Sequence, residues 1–144
     1  MKLSALQIAR YQYAPKLPAV LTAKLETIAI EAGKPTQSIA NQAELKNLFK
    51  NTYGKPMVTF GKGKNANVKK ELRVGVILSG GQAPGGHNVI AGIYDGLKKG
   101  NPASKLYGFL GGPAGLIEGK SVEIKDKFMD EYRNTGGFDI IGSG

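Results

Sequence analysis

The stretch Leu78-Ser79-Gly80-Gly81-Gln82-Ala83-Pro84-Gly85-Gly86-His87-Asn88 places four glycines and a proline directly behind the apolar run Leu72-Arg73-Val74-Gly75-Val76-Ile77-Leu78. Such a short, nearly continuous apolar run marks a strand covered on both faces in a parallel sheet. Beyond the loop, Val89, Ile90, Ile93, Tyr94 and Leu97 recur at helical spacing, and Lys98, Lys99, Gly100 and Pro102 supply terminal charge, a left-handed cap and a stop. The order is strand, glycine loop, helix. Glycines let the backbone turn through positive φ and approach a ligand without a Cβ in the way. Successive N–H groups and the helix dipole can then make an anion seat beyond the carboxyl end of the strand. A tight strand-to-helix turn without a ligand satisfies the same spacing.

The pattern repeats downstream. Lys105 to Leu110 reads as a second strand leading into Gly111-Gly112-Pro113, which serves as a structural turn or a wall of the same crevice. Ile124, Phe128, Met129 and Tyr132 form the inner face of another helix, closed by Gly136-Gly137, and Phe138 to Ile141 reads as a third strand. Alternating strands and helices predict an α/β fold with a doubly wound, mostly parallel sheet. The sequence stops at Gly142-Ser143-Gly144 with no covering helix, so the natural polypeptide is expected to continue.

Upstream, Ser4 and Gln7 make a capping box for a first helix that ends before Pro15 and Pro18. Few breakers interrupt a helical reading from Leu21 to Ala32 until Gly33-Lys34-Pro35. Asn41 with Glu44 caps a helix carrying Leu45, Leu48 and Phe49, Met57 to Phe60 is a short strand, and Gly61 to Lys70 an exposed connection. The predicted organisation is a mainly helical extension and basic linker over 1–70, then an incomplete α/β domain over 71–144.

Composition narrows the chemistry. Among 144 residues there is no cysteine and one histidine, which excludes a disulfide framework, a thiol nucleophile and a multi-histidine metal site within the chain. No apolar run suits a signal peptide or a bilayer span, and a cytoplasmic location is expected. The net charge of +9 is confined to residues 1–73, with 13 Lys or Arg against 4 Asp or Glu, while residues 74–144 hold 7 of each. Lys62, Lys64, Lys69 and Lys70 lack interleaved aromatics for base stacking, so they read as a solvated loop rather than a nucleic-acid surface. Of 21 glycines, 17 lie in the neutral half.

Two phosphate motifs fail on this loop. In the P-loop pattern Gly80 and Gly85 fall in register, but Gly86 and His87 stand where lysine and a hydroxyl are needed. The dinucleotide pattern G-x-G-x-x-G cannot be placed. Around the loop, His87 at a helix start could donate to a phosphate, but a cation there opposes the dipole, so a partly exposed polar residue is the plainer reading. Asn88 can cap the helix or brace the loop, and capping is the plainer expectation. Asp139 is expected to fix a turn or hydrogen bond, and Tyr11 and Tyr13 to pack the extension onto the α/β domain.

VGVILSGGQAPGGHNVIAG, LYGFLGGPAGLIEGK and NTGGFDIIGSG together resemble the start of the phosphofructokinase fold, and the opening LQIARYQYAPKLPAVL resembles the N-terminal extension of its long pyrophosphate-dependent members. ATP-dependent relatives more often carry aspartate at the position of Gln82 and methionine near His87. The resemblance implies reversible phosphoryl transfer from pyrophosphate to fructose 6-phosphate with Mg2+, by a homo-oligomer of two or more subunits. It assigns Gly81 to contact with the phosphoryl donor, Gly80 and Gly85 to shaping the loop, and Gly144 to a second loop near the donor. The family's Gly-Gly-Asp-Asp metal motif and Thr-Ile-Asp catalytic segment are absent from residues 1–144, so this chain holds no catalytic or metal residue of that set and is expected to be inactive alone. An ATP-dependent enzyme and a non-catalytic regulatory subunit of the same fold are the alternatives.

Overall fold

The structure is a computed structural model that describes residues 3–65, 69–81 and 83–144. It divides into two units, Met1–Lys16 with Lys69–Gly144, and Leu17–Val68.

In the first unit, helix α1 (Ala5–Gln12) starts at the expected capping box: Ser4 Oγ accepts from Gln7 N at 3.2 Å and Gln7 Oε1 accepts from Ser4 N at 2.9 Å. The second unit departs from the helical reading. Only two short 3-10 turns, Ala19–Thr22 and Leu25–Thr27, precede strand β1 (Ile28–Pro35). Helix α2 (Gln42–Leu48) then leads to β2 (Pro56–Lys62), antiparallel to β1 with Ile30 opposite Phe60 and Ala32 opposite Val58. The reason is periodicity: Ile28, Ile30 and Ala32 share one strand face with Val58 and Phe60, and this period of two outweighs the absence of helix breakers. Asn41 is the N-cap of α2 but its side chain makes no capping bond. Part of the expected Gly61–Lys70 connection, residues 66–68, lies outside the described residues.

The remainder of the first unit is an α/β assembly of β3 (Arg73–Val76), α3 (Gly86–Gly100), β4 (Lys105–Phe109), α4 (Pro113–Ile117), β5 (Ser121–Ile124) and α5 (Asp126–Tyr132). Its sheet runs in the order β3-β4-β5. The β3 and β4 pair is parallel, with Val74 opposite Leu106, and β4 and β5 are antiparallel, with Leu106 opposite Ile124. The described sheet is therefore small and mixed rather than mostly parallel. The reversal comes from α4, which is a single turn instead of a crossover helix. Gly119 turns at φ 69°, Lys120 N donates to Gly115 O at 2.8 Å, and the chain returns along β4.

Phe138 to Ile141 forms no strand. Ile140 and Ile141 still enter the core, packed with Leu78, Ile90, Ala91, Tyr94, Leu106, Ile124 and Met129. The apolar run thus reported burial correctly while its backbone bonds go to a side chain and a loop. β3, expected to be covered on both faces, alternates between exposed and half-buried positions. Among the described residues, no helix is long and apolar enough to cross a membrane.

Candidate functional site

Three glycine-rich segments meet beyond the carboxyl ends of β3 and β4. Gly80 N donates to Gly144 O at 3.0 Å, Gly144 N donates to Leu78 O at 3.4 Å, and Gly111 N donates to Ile141 O at 2.9 Å. Gly80 and Gly85 adopt φ of 97° and 98°, and Gly111 and Gly112 both 73°, a region that L side chains occupy only with strain. The approach at Gly112 is tight: a Cβ there would stand 2.5 Å from Gly144 N and 3.0 Å from Leu78 O. The 111–112 turn therefore faces the same crevice as the first loop.

Of the expected donor residues, Gly80 and Gly144 are bonded to each other, and Gly85 is the N-cap of α3 at the far end of the loop. Gly81 differs. As at Gly80 and Gly85, no described atom lies within 4 Å of where its Cβ would stand, but its φ is not positive and its N–H reaches no carbonyl among the described residues. The open side of the loop is at Gly80-Gly81. Gln82, on which the comparison with ATP-dependent relatives turned, lies outside the described residues.

The start of α3 is occupied in a way the sequence did not reveal. Gly85 N and His87 N donate to Gly136 O and Gly137 O, each at 2.9 Å, so two of the helix's orphan N–H groups close on the chain itself. His87 is buried at 3% exposure, which overturns its reading as a partly exposed polar residue. Its Nδ1 lies 2.6 Å from Thr135 Oγ1, and its Nε2 accepts from Ile140 N at 3.0 Å. Asp139 Oδ1 also lies 2.8 Å from Nε2, on a side chain that is 76% exposed. The turn bond expected of Asp139 is made by its carbonyl, which accepts from Gly142 N at 3.2 Å. Asn88 does not cap α3; its Oδ1 accepts from Asn134 N at 3.1 Å and braces the loop. Gly86 was missed as a packing residue, its hydrogen facing the Phe138 ring where a Cβ would collide.

Around this assembly α3 and α5 are joined by polar links. Tyr94 OH donates to Asp126 Oδ1 at 2.6 Å, and burial, with that bond next, pushes the phenol up from 10.0 to about 12. The Arg133 guanidinium grips Asp95 through Nη1 at 2.7 Å and Nη2 at 3.0 Å, which raises its own pKa further. α1 joins the same unit where Asn134 Nδ2 donates to Arg10 O at 2.9 Å and Tyr13 O at 3.1 Å. Tyr13 and Tyr11 nonetheless remain exposed. A cleft of about 660 Å³ opens between Leu6, Arg10, Tyr13, Asn88, Asn134 and Gly136, and no residue of the 78–81, 111–112 or 141–144 segments lines it. No group of three His, Asp or Glu side chains among the described residues could hold a metal ion.

Known proteins carry similar sequences. A pyrophosphate--fructose 6-phosphate 1-phosphotransferase of Entamoeba histolytica is 52% identical over 144 residues, which is 100% of this chain and 26% of the relative. One from Porphyromonas gingivalis is 51% identical with the same coverage. The chain belongs to the pyrophosphate-dependent phosphofructokinase family. Within that family the beta 2 subunit of Arabidopsis thaliana is 42% identical over 143 residues, covering 98% of this chain and 25% of the subunit. The chain spans about a quarter of the length of the curated phosphofructokinases it matches. No family model matches it.

Proposed function

We propose that the protein to which these residues belong transfers a phosphoryl group reversibly from pyrophosphate to the 1-hydroxyl of fructose 6-phosphate, giving fructose 1,6-bisphosphate. The observation that carries the reading is the convergence of the Leu78–Gly81, Gly111–Gly112 and Ile141–Gly144 backbones, open at Gly81, in a chain whose relatives are named for that reaction. In this reading Gly81 contacts the donor, Gly80 and Gly85 shape its loop, and Gly144 belongs to the second loop. A compact, highly charged donor needs fixed N–H groups more than a base pocket, and backbone donors cost no reorganisation as charge develops.

Residues 71–144 would be the first part of a larger, mostly parallel phosphofructokinase domain, and 1–70 its extension and linker. Mg2+ belongs to the proposed reaction as the partner of the diphosphate charge. The side chains of the described residues do not fit a magnesium seat. A homo-oligomer in the cytoplasm completes the proposal; the subunit designation of the plant relative supports its being an oligomer and no more. The test is a donor competition on the full-length gene product. Product formation with pyrophosphate and none with ATP is expected; turnover with ATP alone would identify an ATP-dependent enzyme, and no turnover with either a regulatory subunit.

A further inference from the structure

His87 carries more of the crevice than its burial suggests. Its imidazole sits edge-on to the Tyr132 ring at 5.0 Å and against Gly137, where a Cβ would come within 2.5 Å of Cε1. Thr135 Oγ1 donates its own proton to Tyr132 O at 2.6 Å, so it accepts at Nδ1, and the network assigns the Nδ1–H tautomer. Nε2 is then an acceptor for Ile140 N–H. That N–H is a backbone group on a buried residue, whereas Asp139 is exposed and can turn its carboxylate to water. With the bonds from Gly85 N and His87 N, the first turn of α3 thus holds the path of residues 136–140. Beyond Ile140 the same path delivers Ile141 O to Gly111 N and Gly144 O to Gly80 N.

We propose that His87 is a positioning residue for the diphosphate seat: by accepting Ile140 N–H at Nε2 it fixes the 140–144 segment, and so the Gly80–Gly144 bond that leaves Gly81 facing the ligand. This rests on the reading of the loops as the pyrophosphate site. His87 touches no reacting atom.

The test compares wild type, His87→Asn and His87→Gln in the full-length gene product. Glutamine extends an amide oxygen toward the position of Nε2, whereas asparagine reaches only the position of Nδ1. The expected result is a rise of about tenfold in KM for pyrophosphate in His87→Asn, substantial recovery in His87→Gln, and a KM for fructose 6-phosphate within about twofold of wild type in both. Equal KM for pyrophosphate in all three proteins, or parallel changes in both substrates, would overturn the proposal. A second readout needs no turnover: amide exchange at Gly80 and Ile140 should quicken in His87→Asn and recover in His87→Gln. Unchanged exchange would sink the positioning role even in an active enzyme. Altered exchange in a protein that never uses pyrophosphate would leave His87 holding the loops and remove the proposed function alone.

Discussion

Gly112 has no room for a side chain, whereas Gly81 has open space on the ligand side, and the two make different predictions. Gly112→Ala forces a Cβ against Gly144 N and Leu78 O at a φ of 73°, so it should cost about 1–3 kcal/mol in urea unfolding of the chain. An unchanged midpoint would mean that the 111–112 and 142–144 segments do not close on each other. The glycines were legible in the sequence as places of backbone freedom, but which of them serve packing was not. That depends on what crosses them, and Gly86 beside Phe138 and Gly137 beside His87 meet partners about fifty residues away in the chain. His87 was misread for the same reason. The dipole concerns only the helix start, whereas Thr135 and Ile140, about fifty residues on, meet the ring and bury it.

At the scale of elements, α3 and α5 are locked by Tyr94 and Asp126, whose bond also sets a pH limit on stability. Asp126, Asp130 and Asp95 surround the phenol with negative charge, and Lys98 lies 5.6 Å from the ring centre. Because the folded pKa is raised from 10.0 to about 12, the contribution is fully present below pH 10 and is lost as pH rises toward 12. The stability difference between wild type and Tyr94→Phe should therefore stay constant to pH 10 and fall above it, by an amount of order 2 kcal/mol. A difference that is flat to pH 12 would show that folding does not perturb the phenol. Met129 is fully buried on α5, and Met129→Ala should cost about 2–5 kcal/mol in the same measurement; a loss below 1 kcal/mol would mean α5 is only loosely docked. The helices α3 and α5 and the strands β3 and β4 were readable from apolar spacing, which the core enforces. β5 was not: Ile124, read as an inner-face residue of the following helix, belongs to this strand, where Val122 and Ile124 alternate with Ser121 and Glu123. The period of two spans only four residues, and only the reversal at Gly119 makes it pair with β4.

For the whole molecule, sequence motifs carried the family and the glycine crevice, while the sheet direction and the content of 17–68 needed tertiary pairing to decide them. The pairing of Ile30 with Phe60 joins segments separated by a helix, which no local window contains. Residues 1–144 alone should show no phosphoryl transfer, because the described residues bring together no group of side chains that could hold a metal ion; turnover by the isolated chain in a coupled fructose 1,6-bisphosphate assay would refute this. The central claim is that pyrophosphate sits on the open side of Gly81. Its most direct test is Gly81→Ala in the full-length gene product, with KM for pyrophosphate and the unfolding midpoint measured on the same preparation. A KM raised by about tenfold or more at an unchanged midpoint is expected, since no described atom beyond its chain neighbours lies within 4 Å of the new Cβ. A wild-type KM for pyrophosphate in that variant would contradict it.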